Sequence, residues 1–427
     1  MKKLWKNKSF LFLFFGRLVT NIGDSLYYIA AMWLVYDLSK NPFYSGLAGF
    51  LTLLPMTLQF AVGPLIDRWP IKRTIVITQV LQMIIILVIP ITYFFDVLTV
   101  ALILVIMPVS AFIEQFTYPS QSKALPLIIE KEHLVKGNGL FSFAYQGVDM
   151  LFNAIGGILV YLIGPITMFL ADSITFAIAT MLFSLVTIPQ KHSLLSQQET
   201  KLRYSFKQYR DELKEGFSIV FHSLLSVFLL GAVVCNFAIG ISMAVLPSYS
   251  NDKGGVEIYG FLLAAQSTGV LIGALLSSKL EQFRVGLSAI IMFAIEFTSW
   301  FLSAIIPSSM LAISLYGLAW IPIGAINVLF GAINQSIIPN SMYGRISSVT
   351  YSLSAIAMPF GSLLGGYLAE IFNSSIVFAC SSCGFIMISI VWLLHPKLRK
   401  LPTVKEMKPE TFLITVNKMN NTSLPMK

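Results

Sequence analysis

The sequence predicts an all-α membrane protein of twelve transmembrane helices in two six-helix halves, with both termini in the cytoplasm. Three observations predict it. First, 56% of the 427 residues are hydrophobic and only 11% are charged, where a soluble domain carries about 25% charge. Second, the apolar residues gather into twelve runs, each near the roughly 20 residues that span a bilayer core. Third, Lys and Arg fall almost wholly in alternate connections, which is how topogenic charge is distributed. This composition excludes an ordinary soluble enzyme, a disordered scaffold and a collagen-like fibre. Twelve spans consume about 240 residues, and the rest is too little for a large extramembrane domain.

The spans fall at residues 10–36, 46–66, 74–94, 99–118, 140–163 and 165–188, then 224–246, 258–278, 287–306, 310–333, 347–371 and 375–395. The first is expected to remain in the mature chain. It is too long for a signal peptide, and Arg17, Asn21 and Asp24 interrupt any apolar h-region. With the N-terminus in the cytoplasm, the outer loops hold only Lys40 and Lys253, and Arg17 is intramembrane. Every other Lys and Arg then faces the cytoplasm, and an odd span count would break the alternation. The net charge of +9 is thereby accounted for by anionic lipid and topology, without a nucleic-acid partner. Cys235, Cys380 and Cys383 all lie in apolar runs. They offer no disulfide framework, and the pair at 380 and 383 is read as helix packing rather than a redox or metal site.

The longest polar segment divides the chain into a first half at 1–188, a central cytoplasmic loop at 189–223, a second half at 224–395 and a tail at 396–427. From Tyr204 the loop's apolar spacing suits a short amphipathic helix on the membrane surface. A weak repeat relates the halves. Asn153, Gly156 and Gly157 in span 5 align with Ser362, Gly365 and Gly366 in span 11, and Gln121 to Pro126 aligns with Gln335 to Pro339. Two similar six-span halves joined by a basic loop are a transporter architecture.

Charges inside a membrane are expensive and demand a reason. Those within spans are Arg17, Asp24, Glu114, Asp149, Asp172 and Glu296, with Glu370 near an outer end. Arg17, Asn21 and Asp24 follow i, i+4, i+7, so they share one face of span 1, and that face should turn into the protein or a wet cavity. A carboxylate whose surroundings alternate between burial and a neighbouring arginine can load a proton on one side and release it on the other. Asp24, Glu114 and Asp149 are the candidates, with Arg17 as the competing cation. The alternative is a fixed ion pair of Arg17 with Glu114 or Asp149 that only joins helices. Asp172 and Glu296 are assigned to packing or interfacial roles. In the polar but nearly uncharged second half, Asn327 and Asn334 share a face of span 10, while spans 7 and 8 offer Asn236 and Gln266. With Asn21 and Tyr27, these are candidates to line a substrate cavity, although interhelical hydrogen bonding explains each one singly.

Gly63-Pro-Leu-Ile-Asp67-Arg68, followed by Lys72 and Arg73, resembles the G-x-x-x-D-R-x-G-R-K loop of the major facilitator superfamily. Pro70 and Ile71 stand where that pattern has Gly and Arg. A degenerate copy after span 8 runs from Gly273 to Ser277 and Lys279. The resemblance narrows with Gly16-Arg17, Asn21 and Gly23-Asp24 in span 1, with Pro119, Ala124 to Pro126 and Asn138, and with Pro339, Gly344 and Arg345. Together, over residues 10–395, these look like the drug:proton antiporter-3 branch, the macrolide-efflux and siderophore-export type. The resemblance implies a central cavity lined by spans 1, 4, 7 and 10. It also implies export of a drug-like or siderophore-like amphiphile by alternating access, driven by the proton gradient alone with no bound cofactor or metal. The expected setting is the cell membrane, as a monomer among lipids. Import of a nutrient is the rival within transport. A membrane-embedded enzyme or a sensor is a distant one, because the loops are short, no phosphate-loop or HExxH motif is present, and the tail is small.

Overall fold

The computed structural model describes residues 4–57, 69–188, 214, 217–338 and 340–407. Every regular element among the described residues is a helix. The first half runs α1 (Lys8–Ser39), α2 (Pro42–Thr57), α3 (Ile71–Phe94), α4 (Val100–Ile128), α5 (Leu134–Ser142), α6 (Val148–Ile163) and α7 (Pro165–Ser184). The second runs α8 (Leu225–Lys253), α9 (Val256–Leu280), α10 (Val285–Ile305), α11 (Ser309–Ile337), α12 (Asn340–Ile371), α13 (Ser374–Ser381) and α14 (Cys383–Leu394). Among the described residues, ten helical stretches are long and apolar enough to cross a membrane. The described parts of α2 and α6 have 16 residues each. Contacts divide the chain into two units. One comprises Met1–Leu202, Met243–Ser267 and Gly365–Ser374, and the other Arg203–Ser242, Thr268–Leu364 and Ser375–Lys427.

Local chemistry explains the helix ends. Asn7 caps α1, its Oδ1 accepting from the Phe10 amide at 3.1 Å, and Thr99 caps α4 in the same way through Leu102. Such side chains supply acceptors that the first helical turn lacks. Lys40 ends α1 in the left-handed region at φ 52° and donates its amide to the Tyr36 carbonyl, so the turn into α2 is tight. The exposed Val105, Met181, Leu275 and Leu394 would be an aggregation hazard in water and are suited to lipid.

Two departures from the hydropathy reading matter for the site. Helix α4 continues ten residues past the expected end at 118. Its extension is buried through Ser120, Gln121, Ala124 and Leu125, and the Asn7 side chain donates to the Ile128 carbonyl at 2.9 Å. It belongs to a core with Phe10, Phe14, Phe141 and Phe183, so packing extends a helix that hydropathy would stop. The second departure lies in span 5. Between α5 and α6, Phe143–Gly147 winds as a π-helical turn. Asn21 of α1 donates to the Ala144 carbonyl within it at 2.7 Å. A side chain inserted at a disrupted i→i−4 ladder is a recognised origin of such bulges, which concentrate at functional sites.

Helices α1 and α7 press together at Gly16 and Gly23. A Cβ on Gly16 would meet the Phe183 ring, and one on Gly23 would meet Asp172 and Thr175. In the second unit α10 packs on α11 and α14. Residues beyond α14 return along the start of α10: the Val285 amide donates to the Pro402 carbonyl at 3.1 Å, and Leu398 and Leu401 are buried.

Candidate functional site

One face of α1 organises the polar interior of the first unit. Arg17 is 1% exposed. Its guanidinium carbon lies 4.1 Å from the Tyr118 ring centre, 4.8 Å from Phe141 and 5.8 Å from Tyr145. One turn on, Asn21 is bonded to the π turn. Another turn on, Ser25 Oγ donates to Asp149 at 3.0 Å. The i, i+4, i+7 face expected to point inward does so.

Four carboxylates gather beyond Arg17. Asp24 stands within electrostatic reach of Glu114, Asp172 and Asp149, and Glu114 within reach of Asp149 and Asp172. They come from four helices, α1, α4, α6 and α7. Asp24 and Glu114 are half-buried and Asp149 is exposed. The three proton-coupling candidates are thus brought together. Asp172, which the sequence reading assigns to packing, stands with them at 1% exposure. Its Oδ1 accepts from Thr175 Oγ1 at 3.3 Å, while Oδ2 has no hydrogen-bond partner. Its side chain packs against α1 because Gly23 leaves it room.

The alternative of a fixed ion pair between Arg17 and Glu114 or Asp149 is not the arrangement found. Nε, Nη1 and Nη2 of Arg17 all lack a hydrogen-bond acceptor. Aromatic faces surround the cation instead, a recognised attraction for guanidinium. Those rings were not singled out from sequence. The available signal was spacing, since Tyr118 follows Glu114 by four residues, and Phe141, Tyr145 and Asp149 repeat every four. Also unremarked was a buried amide run, in which Thr20 Oγ donates to Gln79 Oε1 at 2.7 Å and Gln79 donates to Gln82 at 3.1 Å.

Tyr27, the other candidate on α1, lies within electrostatic reach of Asp172, Glu114 and Asp24. Tyr27 is buried against Phe169, with ring centres 5.8 Å apart. Asn236 turns its amide to the Ala232 carbonyl of its own helix at 2.9 Å. Gln266 and Asn334 are half-buried and Asn327 is exposed. Glu296, assigned to packing, is 0% exposed, and neither of its carboxylate oxygens has a hydrogen-bond partner. It lies in electrostatic reach of Cys235. Of the signature loop, Lys72 and Arg73 are exposed at the start of α3. Gly63, Asp67 and Arg68 lie outside the described residues, as does most of the central-loop segment expected to form an amphipathic helix.

The family model described as transmembrane secretion effector matches residues 4–421. The chain belongs to that major facilitator family. The multidrug efflux pump Tap of Mycolicibacterium fortuitum is 22% identical, covering 93% of this chain and 98% of that one. Macrolide efflux protein A of Streptococcus pyogenes is 24% identical at the same coverages. Among solved structures, a bacterial homologue of the human lysosomal transporter Spinster, inward-facing and unoccupied, superposes with a TM-score of 0.65. That match has 14% identity and covers 95% of this chain and 97% of that chain. The protein is therefore a multi-pass membrane transporter with efflux-type relatives, and not an enzyme.

Proposed function

We propose that this transporter exports an amphiphilic small molecule, drug-like or siderophore-like, by alternating access coupled to proton influx. The reading places twelve spans, both termini on the cytoplasmic side, in the cell membrane. It treats residues 1–188 and 224–395 as the two halves that rock about the substrate, with the protein acting as a monomer. The observation that carries it is that acids from three other helices converge on the Asp24 stretch of α1: Asp149 accepts from Ser25, Asp172 packs against Gly23, and Glu114 stands in electrostatic reach of Asp24. Acids are retained inside a membrane bundle when they move ions or protons. A group of them shared among helices senses every relative helix movement, so proton binding and conformation become linked. Asp24 is central, because Glu114, Asp172 and Asp149 all act on it. The efflux relatives support export as the direction.

The test uses purified protein in proteoliposomes with an imposed pH gradient and a panel of fluorescent amphiphiles. Uphill movement that collapses with the gradient, and that is lost in Asp24→Asn with normal membrane insertion, is the expected result. Gradient-sensitive uphill transport by Asp24→Asn would remove Asp24 from the coupling role.

A further inference from the structure

Arg17 presents five N–H donors, none of which reaches an acceptor, at a position 1% exposed. Three ring faces attract the cation but accept no directed hydrogen bond along the fork. A buried guanidinium left in that condition is destabilising, so a purely structural role is poorly served by it. No carboxylate among the described residues supplies that acceptor. Asp149 sits beside Ser25, eight residues further along α1, which is about 12 Å along a helix axis.

The cation is fully covered, but two of the rings that cover it are themselves exposed. Tyr118 and Tyr145 are 42% and 40% exposed and lean on one another, with ring centres 5.1 Å apart. Phe141 closes the inner side and is buried. Tyr145 belongs to the π-helical turn, and Tyr118 directly precedes Pro119 within α4. Both outer rings are therefore carried on irregular helix, which can change register locally more readily than an unbroken ladder. The arrangement is an aromatic lid over an unsatisfied cationic fork.

We propose that Arg17 is the recognition point for an anionic group on the substrate, a carboxylate or sulfonate. Its fork engages two oxygens when the Tyr118–Tyr145 pair swings aside. Bidentate geometry of this kind is what guanidinium supplies and ammonium does not. The inference rests on the export reading and narrows its substrate class to amphiphiles bearing at least one anionic group.

The probes are 1-anilinonaphthalene-8-sulfonate and N-phenyl-1-naphthylamine, the same ring system with and without the sulfonate. Equilibrium dialysis against full-length protein in lipid nanodiscs, with empty discs subtracted, gives both affinities. The wild type is expected to hold the sulfonate at least tenfold more tightly than the neutral probe. Arg17→Gln should bring the two within about twofold, with Arg17→Lys in between. Tyr118→Ala, which removes a competing ring without touching the cation, should tighten sulfonate binding several-fold and keep the proposal testable if Arg17→Gln folds poorly. Three results would each overturn the proposal: no wild-type preference for the sulfonate, no sulfonate binding above empty discs, or an unchanged preference in well-folded Arg17→Gln. Gradient-driven efflux of the neutral probe without anion preference would remove this site and leave the export reading standing. Anion preference without gradient-driven movement of either probe would do the reverse.

Discussion

Replacing Gly23 by alanine tests whether the approach of α1 and α7 sets the carboxylate cluster. A Cβ at this position meets Asp172 Oδ1 and Thr175 Oγ1, with Asp172 Cγ at 3.2 Å. Asp172 is enclosed, so its side chain has no free volume to enter. Overpacking of this kind costs about 1–3 kcal/mol. Displacing Thr175 also weakens its bonds to the Asp172 carbonyl at 2.7 Å and to Oδ1, each worth about 1 kcal/mol. Alanine returns about 1 kcal/mol of helix propensity over glycine. The net expectation is a loss of about 1–3 kcal/mol together with slowed transport, because Asp172 is pushed away from Asp24 and Glu114. Asp172→Ala in the same chain makes room for the new methyl, so the double variant should be more stable than the sum of the single effects, by about 1–3 kcal/mol of coupling. Thermal unfolding of the purified protein, followed by loss of monodisperse material, measures stability, and proteoliposome efflux measures function. A wild-type midpoint for Gly23→Ala, or strict additivity in the double variant, would refute the reasoning.

Other expectations follow from the same geometry. Because Arg17 has no carboxylate partner in this arrangement, Asp24→Asn should insert and fold normally while losing uphill transport. Adding Arg17→Gln should not restore it, and recovered gradient-driven efflux in the double variant would show that the two form a structural pair. Trp300 is fully buried and touches Tyr316, Trp320, Phe378 and Phe385, with ring centres 5.1–5.7 Å apart. Trp300→Ala should cost about 3–5 kcal/mol and reduce the yield of monodisperse protein, and an unchanged unfolding midpoint would argue against that core. At Gly286 a Cβ would meet the Leu398 and Arg399 carbonyls. Gly286→Val should therefore loosen the segment after α14, seen as faster limited proteolysis between residues 395 and 407.

Helix α10 shows where sequence reading succeeds and where it stops. Its bounds, Val285–Ile305 against an expected 287–306, were legible because partition into lipid depends on the composition of one contiguous run. That Glu296 within it is completely enclosed was not, since the rotation of a helix about its axis is set by neighbours that hydropathy does not specify. Span 1 was more informative. Three polar residues at i, i+4, i+7 can avoid lipid only by sharing an inward face, so the orientation of Arg17, Asn21 and Asp24 could be read directly.

The sequence by itself thus determined the membrane setting, the bounds of a span such as α10, the family through its ordered motifs, and the inward face of α1. The setting and the inward face depend on residues close together in the chain, and the family on the order of its motifs along it. Tertiary structure decided which partners that face meets. Asp172 joins the cluster from 149 residues beyond Gly23 because a missing Cβ admits it. Arg17 meets Tyr118, Phe141 and Tyr145 rather than an acid. Span 5 breaks into a π turn where Asn21 reaches it. Each outcome turns on contacts separated by more than a hundred residues, where a displacement of one ångström or a rotation of one residue exchanges a carboxylate for a ring. Local pattern carries no record of that choice.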